Sequence, residues 1–331
     1  MSSWKTPLKV FERFVRFALA KAGYTLLRIE SPLLERATAA ATIKNARNNP
    51  DPLAQDRDAS MTKVQELQKL TTKPEKEIDV LNQQCKLDVG TSAEGRIVGP
   101  PWPITFNADG LVTVHNCDFC HDEKFQEAYR LGIETGPRFG PDLRIEWRVF
   151  VCCWAAHQAK QLRGDYVECG VNTGILSRAA MHYIDFADMP GRRFYLLDTY
   201  EGIPLEQLTE DERAQGIEGH NAFYFDCYDQ VCKTFATFPG ARVIRGRVPD
   251  TLTQIDSQAI CYLSIDMNSV VPEIAAGNYL WPRLVSGALV ILDDYGWRPH
   301  INQKHAWDAF AADRGLKVLA LPTGQGLLIK P

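Results

Sequence analysis

Seven short apolar runs, separated by segments of helical periodicity, constrain this chain more than any other feature. The runs lie at about 165–169, 193–198, 242–246, 260–266, 287–293, 316–321 and 326–330. Helical patterns at 174–184, 226–238, 271–281 and 301–313 lie between them, and Ile145–Leu162 reads as a helix ahead of them. A strand that returns through a helix rejoins its sheet in parallel, and strands buried on both faces read as unbroken apolar runs rather than alternating ones. The expected fold class is therefore α/β, with a doubly wound, mostly parallel sheet of seven strands. The last two runs differ. Only Pro322-Thr323-Gly324-Gln325-Gly326 joins them, too short for a crossover, so the sheet is expected to end in an antiparallel C-terminal hairpin.

Such a sheet binds its ligand beyond the carboxyl ends of the strands, near the switch in strand order. Past the first run stands Val167-Glu168-Cys169-Gly170-Val171-Asn172-Thr173-Gly174. Its glycines permit a tight turn and close approach of backbone to a ligand. The spacing is not the dinucleotide one, because Asn172 stands where the middle glycine would be. An acidic residue here, Glu168, suits a ligand with a cationic amino group, such as S-adenosylmethionine. Past the second run, Asp198 and Thr199 are placed to meet a ribose; past the third, Gly246 and Arg247 fall where an adenine would lie. The alternative for each is purely structural: a strand–helix turn at Gly170–Gly174, a cap or turn at Asp198.

Past the fourth and fifth runs come Asp266 and the pair Asp293-Asp294. Adjacent strand ends would bring the three together, and clustered carboxylates repel unless a cation neutralises them. An all-oxygen set suits Mg²⁺, which could bind an acceptor hydroxyl and lower its pKa. The structural alternative is that Asp293 or Asp294 caps the following helix.

Taken in order, Gly164-Asp165-Tyr166-Val167-Glu168-Cys169-Gly170-Val171, Leu197-Asp198-Thr199-Tyr200-Glu201-Gly202, Ile265-Asp266-Met267-Asn268 and Leu292-Asp293-Asp294-Tyr295-Gly296 resemble the macrocin O-methyltransferase family over roughly residues 120–331. The resemblance implies a Rossmann-like methyltransferase fold, S-adenosylmethionine as donor, and Mg²⁺ held by Asp266, Asp293 and Asp294. It also implies a sugar or glycan hydroxyl as acceptor and a homo-oligomeric state. One position departs. Members carry an aspartate as general base two residues after the first metal ligand; here it is Asn268, which takes no proton at neutral pH. His300 and His305 follow the Asp293-Asp294 motif and are candidate replacements, each also open to a packing or surface role. The expected catalytic set is Asp266, Asn268 and His300. Two competing readings stand beside this one: a nicotinamide-dependent oxidoreductase, which lacks its pyrophosphate loop here, and a catalytically weakened binding protein.

Three zones divide the chain. Residues 1–30 read as a basic amphipathic helix, with six basic residues against the single acid Glu12 through residue 29. It could lie on an anionic membrane surface or pack on protein. Residues 31–95 read as a polar linker with short helices, turn-rich from Asn45 to Asp58. Residues 96–331 carry the catalytic fold. Net charge is −4, which argues against a nucleic-acid partner. With no long apolar run and no secretory pattern, the expected location is the cytoplasm, peripheral to the inner membrane face if the basic helix binds lipid. Nine cysteines, an odd number in a large chain, are expected to be reduced thiols. Cys117-x-x-Cys120-His121 spells a haem-attachment motif but has no supporting partner. The acidic segment 206–218 reads equally as a lid over the acceptor or as a solvated helix.

Overall fold

The computed structural model describes residues 103–136 and 143–331, so the expected basic helix and polar linker lie outside the described residues. The first described elements are β1 (Phe106–Ala108) and β2 (Leu111–Thr113), an antiparallel hairpin. Its turn is Asp109-Gly110, both at positive φ (49° and 74°), the combination a tight two-residue hairpin requires. The sequence reading missed this hairpin although Asp-Gly between apolar residues signals one. Helix α1 (Glu123–Ile133) follows, capped by Asp122, whose Oδ1 accepts from Phe125 N at 2.8 Å. Helix α2 (Glu146–Ala159) matches the helix expected ahead of the sheet.

The chain then runs β3 (Asp165–Cys169), α3 (Ile175–Tyr183), β4 (Phe194–Asp198), the short α4 (Glu210–Ala214), α5 (Tyr228–Phe235) and β5 (Ala241–Arg245). It continues β6 (Ile260–Ile265), α6 (Val270–Leu280), β7 (Leu284–Leu292), α7 (Ile301–Ala312), β8 (Leu319–Ala320) and β9 (Gly326–Ile329). The sheet has seven strands in the order β5-β4-β3-β6-β7-β9-β8. The first five pair in parallel; β9 pairs antiparallel with β7 and with β8. The doubly wound sheet and its antiparallel C-terminal hairpin are as the spacing predicted. The switch in direction falls between β3 and β6, because the chain first builds outward through β4 and β5 and then returns.

Both sheet faces are covered, which explains the unbroken apolar runs. Along β3, Tyr166 packs with α1, α2 and α3 residues such as Phe125, Val149 and Met181. Its neighbour Val167 faces the other way, into a core shared with Leu280, Trp307 and Phe310 of α6 and α7. Tyr195 and Leu196 divide in the same manner on β4. Among the described residues no helix is long and apolar enough to cross a membrane. Cys117, of the Cys-x-x-Cys-His stretch, is buried with Sγ near His115 O at 3.4 Å, at the foot of the hairpin.

Candidate active site

A cleft opens at the carboxyl edge of β3, β4, β5 and β6. Of the residues expected to hold a nucleotide-like donor, Asp198, Thr199, Gly246 and Asp266 line it. Glu168, Cys169, Gly170, Gly174 and Arg247 are not among its lining residues.

The turn after β3 is built by steric demand and by Asp198. Gly170 has φ 92°, and a Cβ there would lie 2.0 Å from the carbonyl oxygen of Asp266 on the neighbouring strand. Gly174, φ 93°, starts α3 with the ring of Phe235 against its Cα; its Cβ would sit 2.6 Å from that ring. Asp198 Oδ2 accepts from the backbone N–H groups of Val171 and Asn172, each at 2.7 Å, while Oδ1 accepts from Tyr200 N at 2.6 Å. Burial pushes the Asp198 carboxyl up, and these backbone donors oppose that shift. Thr199 Oγ1 donates to Gly202 O at 2.6 Å, closing the next turn.

Glu168 is 1% exposed and its Oε2 has no hydrogen-bond partner. Burial holds its carboxyl well above the ordinary range, and the charges of Asp293 and Asp198 add to the shift. An unpartnered buried acid at the foot of the turn is a group that a cationic ligand would relieve. Arg247 is half exposed, with Nη1 on Glu206 at 2.5 Å and Nη2 on Asp250 at 3.2 Å.

Asp266, Asp293 and Asp294 meet as their strand ends implied: one carboxylate oxygen of each lies within 4.8 Å of the others. Asp293 and Asp294 are 4% and 5% exposed. The cluster is not bare. Arg148 Nη1 donates to Asp293 Oδ2 at 2.8 Å and stands 3.8 Å from Asp294 Oδ1, while Gln325 Nε2 donates to Asp293 Oδ1 at 3.0 Å. A carboxylate carries about four lone-pair sites, so these two donors leave acceptor capacity on Asp293. The donors are all oxygen, and one guanidinium does not balance three carboxylates, so the set fits a hard divalent cation.

Asn268 is buried at φ 60°, with Nδ2 3.4 Å from both the carbonyl and Oδ1 of Asp266. The two candidate histidines separate. His300 is 3% exposed with Nε2 at 3.8 Å from Asp294 Oδ2, whereas His305 is exposed on α7. The ring of His220, from the segment after α4, sits 5.4 Å from that of His300.

Several residues at the site carried no sequence signal. Tyr224, Phe225, Val248 and Pro272 line the cleft, brought there from the connections after β4 and β5 and from the first turn of α6. Arg148 and Gln325 reach Asp293 across 145 and 32 residues of chain, a separation that no spacing rule covers. In the acidic segment, α4 is exposed at Glu210, Asp211, Arg213 and Ala214 but not at Glu212. Glu212 is 2% exposed and shares a reciprocal cap with Thr209, and the connection contributes Ile203, Pro204 and Gln207 to the cleft wall.

Residues 123–320 match the family model of macrocin-O-methyltransferase (TylF), well over half of the chain. No curated protein sequence matches it. Among solved structures, the O-methyltransferase NovP aligns at 20% identity over 55% of this chain and 79% of its own, with a TM-score of 0.49. CalS11, a calicheamicin methyltransferase, aligns at 18% identity over 65% of this chain and 94% of its own, with a TM-score of 0.45.

Proposed function

The chain belongs to the macrocin-O-methyltransferase family, an S-adenosylmethionine-dependent O-methyltransferase family, and on that premise we propose that it methylates a hydroxyl of a sugar or glycoconjugate with the help of Mg²⁺. The single observation that carries the metal part is the meeting of Asp266, Asp293 and Asp294 oxygens within 4.8 Å at the end of β6 and β7, beside the cleft.

The donor would enter the cleft with its ribose toward Thr199 and the Asp198 turn, and its adenine toward Gly246 and Val248. Its amino group would approach the β3 turn, where Glu168 lies buried without a partner for one oxygen. Asp266, Asp293 and Asp294 would hold the ion, which when bound supplies the positive charge that lowers the pKa of an acceptor hydroxyl. Tyr224, Phe225, Met267 and Pro272 give the cleft an apolar and aromatic wall against which a sugar face can lie. When bound, S-adenosylmethionine would supply its methyl group to the acceptor oxygen by in-line displacement, releasing S-adenosylhomocysteine, with the hydroxyl proton going to solvent. Asn268 can orient the acceptor by hydrogen bonding but does not take that proton. Much of the acceleration comes from holding both reactants in near-attack geometry.

Calorimetric titration of the purified protein with S-adenosylhomocysteine tests the donor site, and absence of binding sinks the assignment of this cleft. Repeating methyl transfer to a panel of nucleoside-diphosphate sugars with EDTA, then with Mg²⁺ restored, tests the metal. Equal rates in both remove it.

A further inference from the structure

Arg148 and Asp109 entered the site from parts of the chain that no motif marks. Arg148 lies near the start of α2. Its Nε donates to Asp109 Oδ2 at 3.1 Å and its Nη2 to Asp109 Oδ1 at 3.0 Å, so both oxygens of Asp109 are taken in a fork. The remaining nitrogen, Nη1, is the one that reaches Asp293 Oδ2 at 2.8 Å. Side-chain exposures of Arg148, Asp109 and Asp293 are 7%, 8% and 4%, so the chain of contacts is nearly dry. Asp109 is presented by the tight turn of the β1–β2 hairpin, at φ 49°. That hairpin precedes residue 123, where the family match begins.

A buried guanidinium takes the nearest carboxylates available, because leaving it without counter-charge is costly. Arg148 has three within reach: Asp109, Asp293 and Asp294. The fork on Asp109 commits two of its three nitrogens away from the cluster. We propose that Asp109 is a positioning residue for the divalent-cation site: by holding the Arg148 guanidinium, it limits that group to a single hydrogen bond within the cluster, on Asp293, and keeps it from spreading over the carboxylates that would hold the ion. The inference rests on the metal reading above and extends it to a hairpin outside the family-matched region. With the charge of Asp109 removed, the guanidinium turns onto Asp293 and Asp294 and competes with the cation.

The test is Asp109→Asn in the full chain. Asparagine keeps the size and tolerates the left-handed backbone, so charge is the main change. Isothermal titration with MgCl₂ alone, in parallel with titration by S-adenosylhomocysteine, gives the readout. The expected result is Mg²⁺ binding weakened about 10- to 100-fold, the usual effect of losing a group that orients a ligand, with S-adenosylhomocysteine affinity unchanged within about twofold. A purely structural role would lower the melting temperature without moving the Mg²⁺ affinity of the folded protein. Asp109→Glu, which restores the charge, should recover most of the loss. If wild type and Asp109→Asn bind Mg²⁺ equally, the positioning role is overturned while the metal site stands. If wild type binds S-adenosylhomocysteine but not Mg²⁺, the metal reading falls and this role with it. Should Asp109→Asn fail to fold, Arg148→Lys serves in its place. An ammonium cannot fork onto Asp109 and reach Asp293 together, so similar weakening is expected and unchanged Mg²⁺ affinity overturns the proposal.

Discussion

Glu212 Oε1 accepts a 2.7 Å hydrogen bond from Val270 N, so the connection between β4 and α5 is tied to the first turn of α6, just past Asp266 and Asn268. The same carboxylate accepts from Thr209 N at 2.8 Å through its other oxygen. One buried acid thus caps two helix starts and fixes the segment that walls the cleft. Replacing Glu212 with Ala should cost about 1–3 kcal/mol, the scale for leaving buried donors unmatched. Urea denaturation measures it. A loss below about 0.5 kcal/mol, the level of an ordinary surface change, would show that the tie does not hold the segment.

The turn after β3 leaves no room for a side chain at Gly170. Gly170→Ala would set a Cβ 2.0 Å from Asp266 O on a backbone at φ 92°. The expected cost exceeds about 2 kcal/mol from strain and overpacking together, with S-adenosylhomocysteine affinity reduced because Asp266 must shift. Gly191→Ala is the control. Its φ is 81°, but nothing lies within 4 Å of the added Cβ, so it should cost only about 1 kcal/mol and leave binding alone. Equal effects from the two would remove the close approach as the reason for Gly170.

Stability should fall as pH rises from about 5 to about 8. Glu273 is 3% exposed between α6 and α7, and burial raises its carboxyl from 4.5 to about 8, against the bonds it accepts from Trp307 Nε1 at 2.8 Å and Gln303 Nε2 at 2.6 Å. The folded state therefore keeps a proton that the unfolded chain releases above 4.5. The stabilising contribution is full below that value and is lost as pH climbs toward the folded value, at up to about 1.4 kcal/mol per pH unit. Urea midpoints of wild type and Glu273→Gln across this range provide the check: the variant should lack this component of the slope. Identical slopes would mean that Glu273 is ionised in the folded protein.

Asn268→Asp adds a fourth carboxylate within 3.4 Å of Asp266. Like-charge repulsion should lower the melting temperature in EDTA by about 2–4 °C, the shift expected for roughly 1 kcal/mol, and Mg²⁺ should restore it. The new carboxylate can also accept a proton, so methyl transfer should rise, by up to about 10²-fold if deprotonation limits the rate. A variant that matches wild type in both melting and rate would place residue 268 outside the chemistry.

The sequence by itself determined the sheet. Its strands are short, unbroken apolar runs because both faces are covered, and that pattern is local; β3, read at 165–169, is found at Asp165–Cys169. The five-residue link before β9 left only a hairpin, and topology then placed Asp198, Asp266, Asp293 and Asp294 along one edge. Tertiary structure decided what those acids face. Asp198 is held by backbone N–H groups of its neighbouring turn, Glu168 is buried and does not line the cleft, and Arg247 points to Glu206 and Asp250. Asp293 meets Arg148 and Gln325, and through Arg148 a hairpin that sequence reading passed over. The strands and their parallel pairing follow from a repeating local pattern, whereas the partner of a buried charge depends on which distant side chain can reach it without water, and no pattern along the chain encodes that distance.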